Sequence, residues 1–337
     1  MINKIMNDPS DYDAEVARGF IKLHSDSLIF PKNDLRQVIR KEVPEVPQTA
    51  LIGVCDGGHM PAFAGYVGKG MLHGAATGKT FEAAKAEDIF EVIKQADMGK
   101  GCILIPLIWN EEASEELKKA VFKAEKENIK VSIAEIRDDC MQPKENKETR
   151  LSSAGVFFAC KTAGAAAEEG KDLEQILTLL KKVNENMRSA ANCGTSFSLP
   201  GSKTPFMQID DGMMQVGIGI HGEPGFEMVS FPSAYEIAEH LFRHRLNKEL
   251  NFQPNEKAAV LINDLGSTTL DELMIIYGIE AQQFENKGTE IIKAFLGRYL
   301  TILDADGVSI TALRLDDELE KYLLNDSDAP VFRQTGL

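Results

Sequence analysis

The first half of the chain alternates apolar, strand-like runs with amphipathic, helix-like segments. Residues 50–55 predict a buried strand, residues 102–108 form another apolar run, and residues 129–136 are strand-like. Between the last two lies a helical pattern with apolar residues on one face, and Asn110 stands where its N-cap is expected. The order strand, helix, strand is typical of a parallel sheet covered by helices, which restricts this half to an α/β fold.

The composition changes where the first half ends. A predicted helix ends near Met187 and leads into residues 189–205, which are rich in Ser, Gly, Thr and Pro and are typical of a domain boundary. A length of 337 residues is enough for two domains. We therefore predict one domain over residues 1–188 and another over residues 189–337.

The second half mixes hairpin-like strands with helices. Hairpin patterns lie around residues 206–230, and Ser233 with Glu236 has the spacing of a capping box that begins a helix. Strand patterns followed by turns and helices come later, at residues 258–262 and 307–315. This order predicts an α+β domain.

Composition and charge exclude several classes of function. The formal net charge is −15 and no basic stripe is visible, which argues against direct contact with nucleic acid. No apolar run approaches the roughly 20 residues that span a bilayer, and the first residues lack the layout of a signal peptide. The five cysteines are scattered without metal-pair or disulfide spacing, which fits a reducing compartment. We expect a cytoplasmic protein with no metal, no cofactor and no membrane contact.

The segment Gly217–Gly225 places one imidazole, that of His221, in a glycine-rich stretch almost stripped of other bulky polar side chains. Glycine allows the backbone to approach a bound molecule closely, and a neutral imidazole can attack a carbonyl carbon. Glu223 is a candidate to orient the ring. The alternative from these residues alone is a hydrogen-bonded structural histidine.

A second glycine-rich turn, Asp56-Gly57-Gly58-His59, follows the first predicted strand. It matches neither the Walker nor the dinucleotide-binding pattern. Ligands in open α/β sheets bind at the carboxyl ends of strands, where this turn lies. A tight turn whose glycines serve only local geometry is the competing interpretation.

Several segments together resemble the substrate-binding subunit of bacterial dihydroxyacetone kinase, the DhaK family, and the chain is identified as a member. The resemblance implies a homodimer with a three-layer α/β/α first domain, a largely parallel sheet, and an α+β second domain with a mixed sheet. It also implies a ligand site between the loops, where His221 holds dihydroxyacetone as a covalent hemiaminal. Binding should then weaken as the pH falls and the ring is protonated. The matching segments are residues 61–72, 163–167, 217–225, 299–303 and 313–319.

The glycine-rich turn departs from the pattern of the active family members, which is GGGSGHEPAH. His59 is retained, but Met60 replaces the glutamate and Phe63 replaces the second histidine. Asp56 stands where a glycine is expected.

The segment after the next strand departs as well. Active members have KNYTGD, whose lysine and aspartate contact the ligand, and this chain has residues 107–112 there. The lysine becomes Leu107, and only Glu112 can match the catalytic aspartate, with the following segment one residue longer. In the FTSPTP-like segment, the ligand-side serine becomes Ala83.

Phosphoryl transfer needs a positioned base and a site for the donor phosphate. The departures therefore favour a chain that captures the ligand without transferring phosphate, as in the non-catalytic DhaQ-like branch of the family, which co-activates a TetR-type transcription regulator. In this account His221 is the covalent anchor, and Asp56, Gly57, Gly58, His59 and Glu112 contact the ligand. One alternative is a working kinase subunit that uses His59 and Glu112 in catalysis. Another is a sensor of a different short-chain carbonyl compound, since Leu107 and Phe63 make the pocket less polar.

Overall fold

The computed structural model describes residues 4–141, 150–223 and 225–336. The described helices are α1 (Tyr12–His24), α2 (Ala86–Ala96), α3 (Glu111–Lys126), α4 (Val156–Glu168), α5 (Leu173–Asn186), α6 (Ala234–Leu241), α7 (Asn247–Leu250), α8 (Leu270–Lys287) and α9 (Asp317–Leu324). The described strands are β1 (Leu28–Ile29), β2 (Val38–Arg40), β3 (Ala50–Gly57), β4 (Gly74–Thr80), β5 (Cys102–Pro106), β6 (Val131–Ile133), β7 (Met187–Cys193), β8 (Met213–Val216), β9 (Glu227–Ser230), β10 (Lys257–Asp264), β11 (Glu290–Gly297), β12 (Gly307–Leu315), β13 (Ser327–Ala329) and β14 (Phe332–Gln334).

The chain forms two compact units, and each is built from separate stretches of sequence. Unit A contains residues 4–136, 158–182 and 321–336, and unit B contains residues 137–157 and 183–320. The sequence-based division between residues 188 and 189 falls inside strand β7. Composition at 189–205 indicates a loop-rich stretch, but its first residues are buried by pairing with β12, which no local pattern predicts.

Unit A is built on a six-stranded sheet in the order β1-β2-β4-β3-β5-β6. The pairs β4–β3, β3–β5 and β5–β6 are parallel, whereas β1 and β2 are antiparallel additions at one edge. The predicted largely parallel sheet is therefore confirmed. The third predicted strand is shorter than its strand-like segment, since β6 covers only Val131–Ile133.

Helices α2 and α3 cover one face of this sheet. Asn110 caps α3 as predicted, because its side chain accepts a hydrogen bond from the N–H of Ala113 at 2.8 Å. Leu117 and Ala120 of α3 pack against Ile52 of β3 in one apolar cluster. Successive strand residues point to opposite faces, and Leu51 on the other face is also fully buried. Both faces are therefore covered, as expected for a sheet that is mostly parallel.

Unit B is built on a second six-stranded sheet, in the order β11-β10-β12-β7-β8-β9. Only β10 and β11 pair in parallel, so the predicted mixed sheet is confirmed. The capping box of Ser233 and Glu236 begins α6, also as predicted. A second capping box begins α8, which ends at Gly288 in a left-handed conformation.

Two general properties follow from the described residues. Within residues 4–141, 150–223 and 225–336, no helix combines the length and apolar character needed to cross a bilayer. All five cysteines lie in these ranges, and each is buried and unbridged.

Candidate functional site

In unit A, the turn Asp56–His59 begins at the carboxyl end of β3, where two glycines meet different steric demands. A Cβ on Gly57 would lie 2.7 Å from backbone atoms of Lys79 and Thr80, so only glycine fits against β4. Gly58 has a φ of 99°, a conformation that glycine adopts without strain. Local geometry thus accounts for both glycines, and their contact with a ligand stays a prediction.

Asp56 and His59 form a buried carboxylate–imidazole pair. Oδ1 of Asp56 lies 3.2 Å from Nε2 of His59, and both side chains are inaccessible to solvent. The imidazole also stacks on the ring of Phe81, with centroids 5.5 Å apart and an angle of 22°. A ring fixed in this way can exchange hydrogen bonds with a hydroxyl group at a defined orientation.

Two of the predicted replacements lie beside Asp56. Because β3 and β5 are parallel neighbours, their carboxyl ends meet at one edge of the sheet, and Leu107 follows β5 there. Ala83, Leu107 and Trp109 line one cavity together with Asp56, and the cavity offers about 10 Å³ of space. This is about the space of one water molecule. Ala83 and Leu107, which the sequence comparison predicts to replace the serine and lysine of active family members, thus contribute apolar side chains to this cavity.

Phe63 is not a lining residue of this cavity. Its side chain is fully buried, and a Cβ on Gly53 of β3 would lie 2.4 Å from its ring. The ring also packs edge-on against Tyr66, with centroids 5.7 Å apart. The ring therefore fills the core above a strand glycine, and its effect on the polarity of a ligand pocket stays a prediction.

Glu112 lies in the first turn of α3, and its carboxylate faces solvent. The side chain is 58 % exposed, and Oε1 lies 2.6 Å from Nζ of Lys85. The hydrogen bond to Glu112 raises the pKa of Lys85. Glu112 is not among the residues that line the cavity with Asp56. Its predicted contact with the ligand stays a prediction.

In unit B, His221 lies in a tight loop that follows β8. Gly217 and Gly222 have φ values of 75° and 77°, a left-handed conformation that glycine adopts without strain. The N–H of Gly219 donates to the carbonyl of Glu223 at 3.1 Å, and the N–H of Gly222 donates to the carbonyl of Gly219 at 2.9 Å. The loop is thus closed on itself around His221. Pro224, within the predicted segment, lies outside the described residues.

Glu223 holds His221 through both the backbone and the ring. Its Oε2 accepts the backbone N–H of His221 at 3.0 Å, and its Oε1 lies 3.4 Å from Nδ1 of the ring. Burial acts to raise the pKa of Glu223, but hydrogen bonding and the charge of His221 outweigh it, so that this pKa is lowered. The carboxylate is therefore ionised at neutral pH beside a buried imidazole.

The fold also gives the candidate residues neighbours that no motif indicates. Phe81 and Lys85 belong to a segment recognised only for its missing serine, yet one stacks on His59 and the other pairs with Glu112. Trp109 reaches the cavity beside Asp56 because it follows β5. Only the tertiary structure identifies these three side chains.

Comparison with known proteins agrees with this architecture. Residues 18–331 match the Dak1 domain. The chain is 34 % identical over 339 residues to L-erythrulose 1-kinase of Mycolicibacterium smegmatis, covering 99 % of this chain but 58 % of that protein. It is 30 % identical to the dihydroxyacetone-binding subunit DhaK of PTS-dependent dihydroxyacetone kinase 2 of Listeria innocua, covering 98 % of this chain and 99 % of that subunit.

The fold also matches a solved regulatory relative. The dihydroxyacetone kinase operon co-activator Dha-DhaQ superposes with a TM-score of 0.88 at 27 % identity, and the match covers 96 % of this chain and 98 % of that chain. The chain matches the Dak1 domain, the DhaK subunits and the Dha-DhaQ structure, and these matches place it in one family. The protein belongs to the Dak1 domain family, as a DhaK-like chain whose fold is shared with the co-activator DhaQ.

Proposed function

We propose that the protein is a dihydroxyacetone-binding regulator that captures the ketone and does not phosphorylate it. The observation that carries this proposal is the cavity beside Asp56, where Ala83 and Leu107 replace polar groups of the active family members. Loss of the lysine removes a positive group that would compensate the transferring phosphate. The retained His221 loop and the similarity to the DhaQ co-activator support capture as the remaining activity.

In this proposal His221 is the covalent anchor of the ligand. Dihydroxyacetone is small and uncharged, and its central carbon is electrophilic, so a neutral imidazole can add to it and form a hemiaminal. The side chains of Asp56 and His59 exchange hydrogen bonds with the hydroxyl arms, and Gly57 and Gly58 let the backbone come close.

The loaded protein acts as a homodimeric co-activator of a TetR-type transcription regulator in the cytoplasm. The partner makes the DNA contacts, which suits a chain with a net charge of −15. The five buried, unbridged cysteines fit a reducing compartment.

A working kinase subunit is the second candidate. The Asp56–His59 pair is compatible with it, and several relatives are named as kinases or kinase subunits. In that case His59 and Glu112 serve in catalysis. The names of the erythrulose kinases also support L-erythrulose as an alternative short-chain ligand.

One assay separates capture from transfer. The protein is mixed with dihydroxyacetone and a phosphorylated, nucleotide-carrying kinase partner, and dihydroxyacetone phosphate is measured. The Listeria innocua DhaK subunit serves as the matched control. We expect binding of dihydroxyacetone by calorimetry and no product above background. Turnover comparable to that of the control would overturn the regulator proposal.

A further inference from the structure

A large cavity lies within unit A, between the end of α1, the adjoining ends of β1 and β2, and the hairpin of β13 and β14. Its volume is about 780 Å³, against about 10 Å³ for the cavity beside Asp56. Sites for small organic molecules usually have volumes of about 300–1,000 Å³. The cavity therefore has room for a ligand larger than dihydroxyacetone, and none of the residues predicted to contact that ketone lines it.

The hairpin of β13 and β14 forms one wall of this cavity, and two glycines let it pack against the loop before β4. A Cβ on Gly65 would lie 2.3 Å from Cγ2 of Val331, and one on Gly68 would lie 2.1 Å from the carbonyl oxygen of Asp328. The N–H of Asp328 donates to the carbonyl of Lys69 at 2.9 Å, and the N–H of Val331 donates to the carbonyl of Gly65 at 3.2 Å. The wall is therefore fixed by backbone contacts.

Arg40, the last residue of β2, contributes a guanidinium group to the lining. Its side chain is only 5 % exposed, and Nη1 lies 2.6 Å from Oε1 of Glu168. Glu168 in turn accepts hydrogen bonds from the side-chain amide of Gln48 and from the N–H of Gly70, at 3.1 Å each. Glu168, Gln48 and Gly70 do not line the cavity. Groups outside the cavity thus hold the guanidinium through Nη1.

The other edge of the Arg40 guanidinium carries Nε and Nη2, two parallel donors that match a carboxylate or a phosphate. Nε has no hydrogen-bond partner among the residues that the structure describes. Nη2 lies 3.5 Å from Oε1 of Glu42, which lines the cavity and has a side chain that is 65 % exposed. An exposed carboxylate at that distance is a weak partner. This edge is therefore directed to the cavity and lacks a strong acceptor.

The charge of the lining also favours an anion. Four Lys and Arg side chains line the cavity against three Asp and Glu side chains, in a chain whose net charge is −15. Within the described part of the chain, neither Lys41 nor Lys69 pairs with a carboxylate, and Lys41 donates only to the carbonyl of Ser25, at 3.1 Å. Val67 and Val331 add apolar surface to the same lining. The cavity thus combines cationic donors with surface for an organic body.

We propose that this cavity binds a small organic anion, whose carboxylate or phosphate group is held by Nε and Nη2 of Arg40 and whose body packs against Val67 and Val331. Lys41 and Lys69 contribute positive charge to the site. Glu42 competes for the same donors and moves into solvent when the anion binds. The inference goes beyond the proposed function and does not rest on it, because it uses no residue of the His221 loop.

The first test titrates the wild-type protein by calorimetry with phenyl phosphate and with benzoate, and uses benzyl alcohol as the uncharged control. We expect a dissociation constant of about 1 mM for at least one of the two anions, which two charge-assisted hydrogen bonds can supply. Phenyl phosphate alone would identify a phosphorylated ligand, and benzoate alone a carboxylated one. His221→Ala should bind the anion as wild type does. Constants above about 10 mM for both anions, or equal binding of benzyl alcohol, would overturn the inference.

The second test places the anion in the cavity. Glu42→Ala removes the competing carboxylate and should tighten binding up to about fivefold, the value of an exposed ion pair. Glu45→Ala removes the same charge from an exposed residue outside the lining and should have no such effect. Arg40→Lys keeps the charge without the two parallel donors and should weaken binding about tenfold or more.

Circular dichroism establishes whether Arg40→Lys is folded, since Arg40 is also paired with Glu168. If it is not, the comparison of Glu42→Ala with Glu45→Ala decides alone. Equal constants in these two variants, or wild-type affinity in a folded Arg40→Lys, would contradict binding at Arg40.

Discussion

Nζ of Lys85 lies 2.6 Å from Oε1 of Glu112, so the residue before α2 is joined to the first turn of α3. Both side chains are more than half exposed, and such pairs contribute little to stability. The contact nevertheless engages the one carboxylate that could replace the aspartate of the active family members. The ion pair and the dipole of α3 both stabilise the negative charge of Glu112 at the start of the helix. They favour a structural role for this carboxylate.

We therefore expect Glu112→Gln to bind dihydroxyacetone with a dissociation constant within about twofold of wild type, as is usual for exposed substitutions. Lys85→Met, which breaks the same pair from the other side, serves as the matched variant. Calorimetry measures both constants. A tenfold loss in Glu112→Gln alone would support the predicted ligand contact, which the capture account and the kinase alternative share.

Leu107 provides a test of the lost transfer site. Leu107 is 3 % exposed in a cavity lined mostly by apolar residues, so Leu107→Lys places an ammonium group where little solvent can reach it. We expect a destabilisation of several kcal/mol and no gain of phosphoryl transfer. Thermal unfolding and the product assay measure the two effects.

Leu107→Met is the control for that substitution, because a volume-conserving change should cost less than about 1.5 kcal/mol. A stable Leu107→Lys protein that forms dihydroxyacetone phosphate would show that one side chain separates capture from catalysis. That result would contradict the proposal that several replacements together abolish phosphoryl transfer.

The sequence predicted the local elements of the fold better than it predicted contacts between distant segments. Periodicity and caps located α3 and α6, since Asn110 and Ser233 act within a few residues of themselves. The pairing of β7 with β12 joins residues more than a hundred positions apart, so composition misplaced the start of the loop-rich stretch after Met187. Local sequence patterns carry no information about strand pairing over such a distance.

The candidate site shows the same limit. His221 and Glu223 are two residues apart, so their association could be suggested from the sequence. The glycine-rich turn predicts Phe63 at a ligand pocket, because it replaces a histidine of the active family members. Its ring instead packs in the core against Gly53, where any larger side chain would collide with it. The partner of Glu112 comes from the segment before α2 and could not be predicted.

Glu280 should make the stability of unit B depend on pH. The residue lies on the buried face of α8, and neither carboxylate oxygen has a hydrogen-bond partner among the residues described. Burial raises the pKa of Glu280 well above its ordinary value. Above about pH 4.3 the unfolded chain releases a proton that the folded chain retains, so this carboxyl lowers stability by about 1.4 kcal/mol per pH unit until it ionises in the folded state.

Glu280→Gln removes this titration. We expect its melting temperature to exceed that of wild type by a margin that grows between about pH 5 and pH 7. Glu285→Gln, on the exposed side of the same helix, should show no such growth. A difference between Glu280→Gln and wild type that is constant with pH would contradict the account.

The most direct measurement of the central claim is ¹³C NMR of dihydroxyacetone labelled at its carbonyl carbon, added to wild type and to His221→Ala. The account predicts that the bound carbonyl signal of the wild type moves to the region of a tetrahedral carbon, and that this signal is absent in His221→Ala. Circular dichroism confirms that the variant is folded. An unchanged carbonyl signal in bound wild type, or the same tetrahedral signal in His221→Ala, would contradict covalent capture by His221.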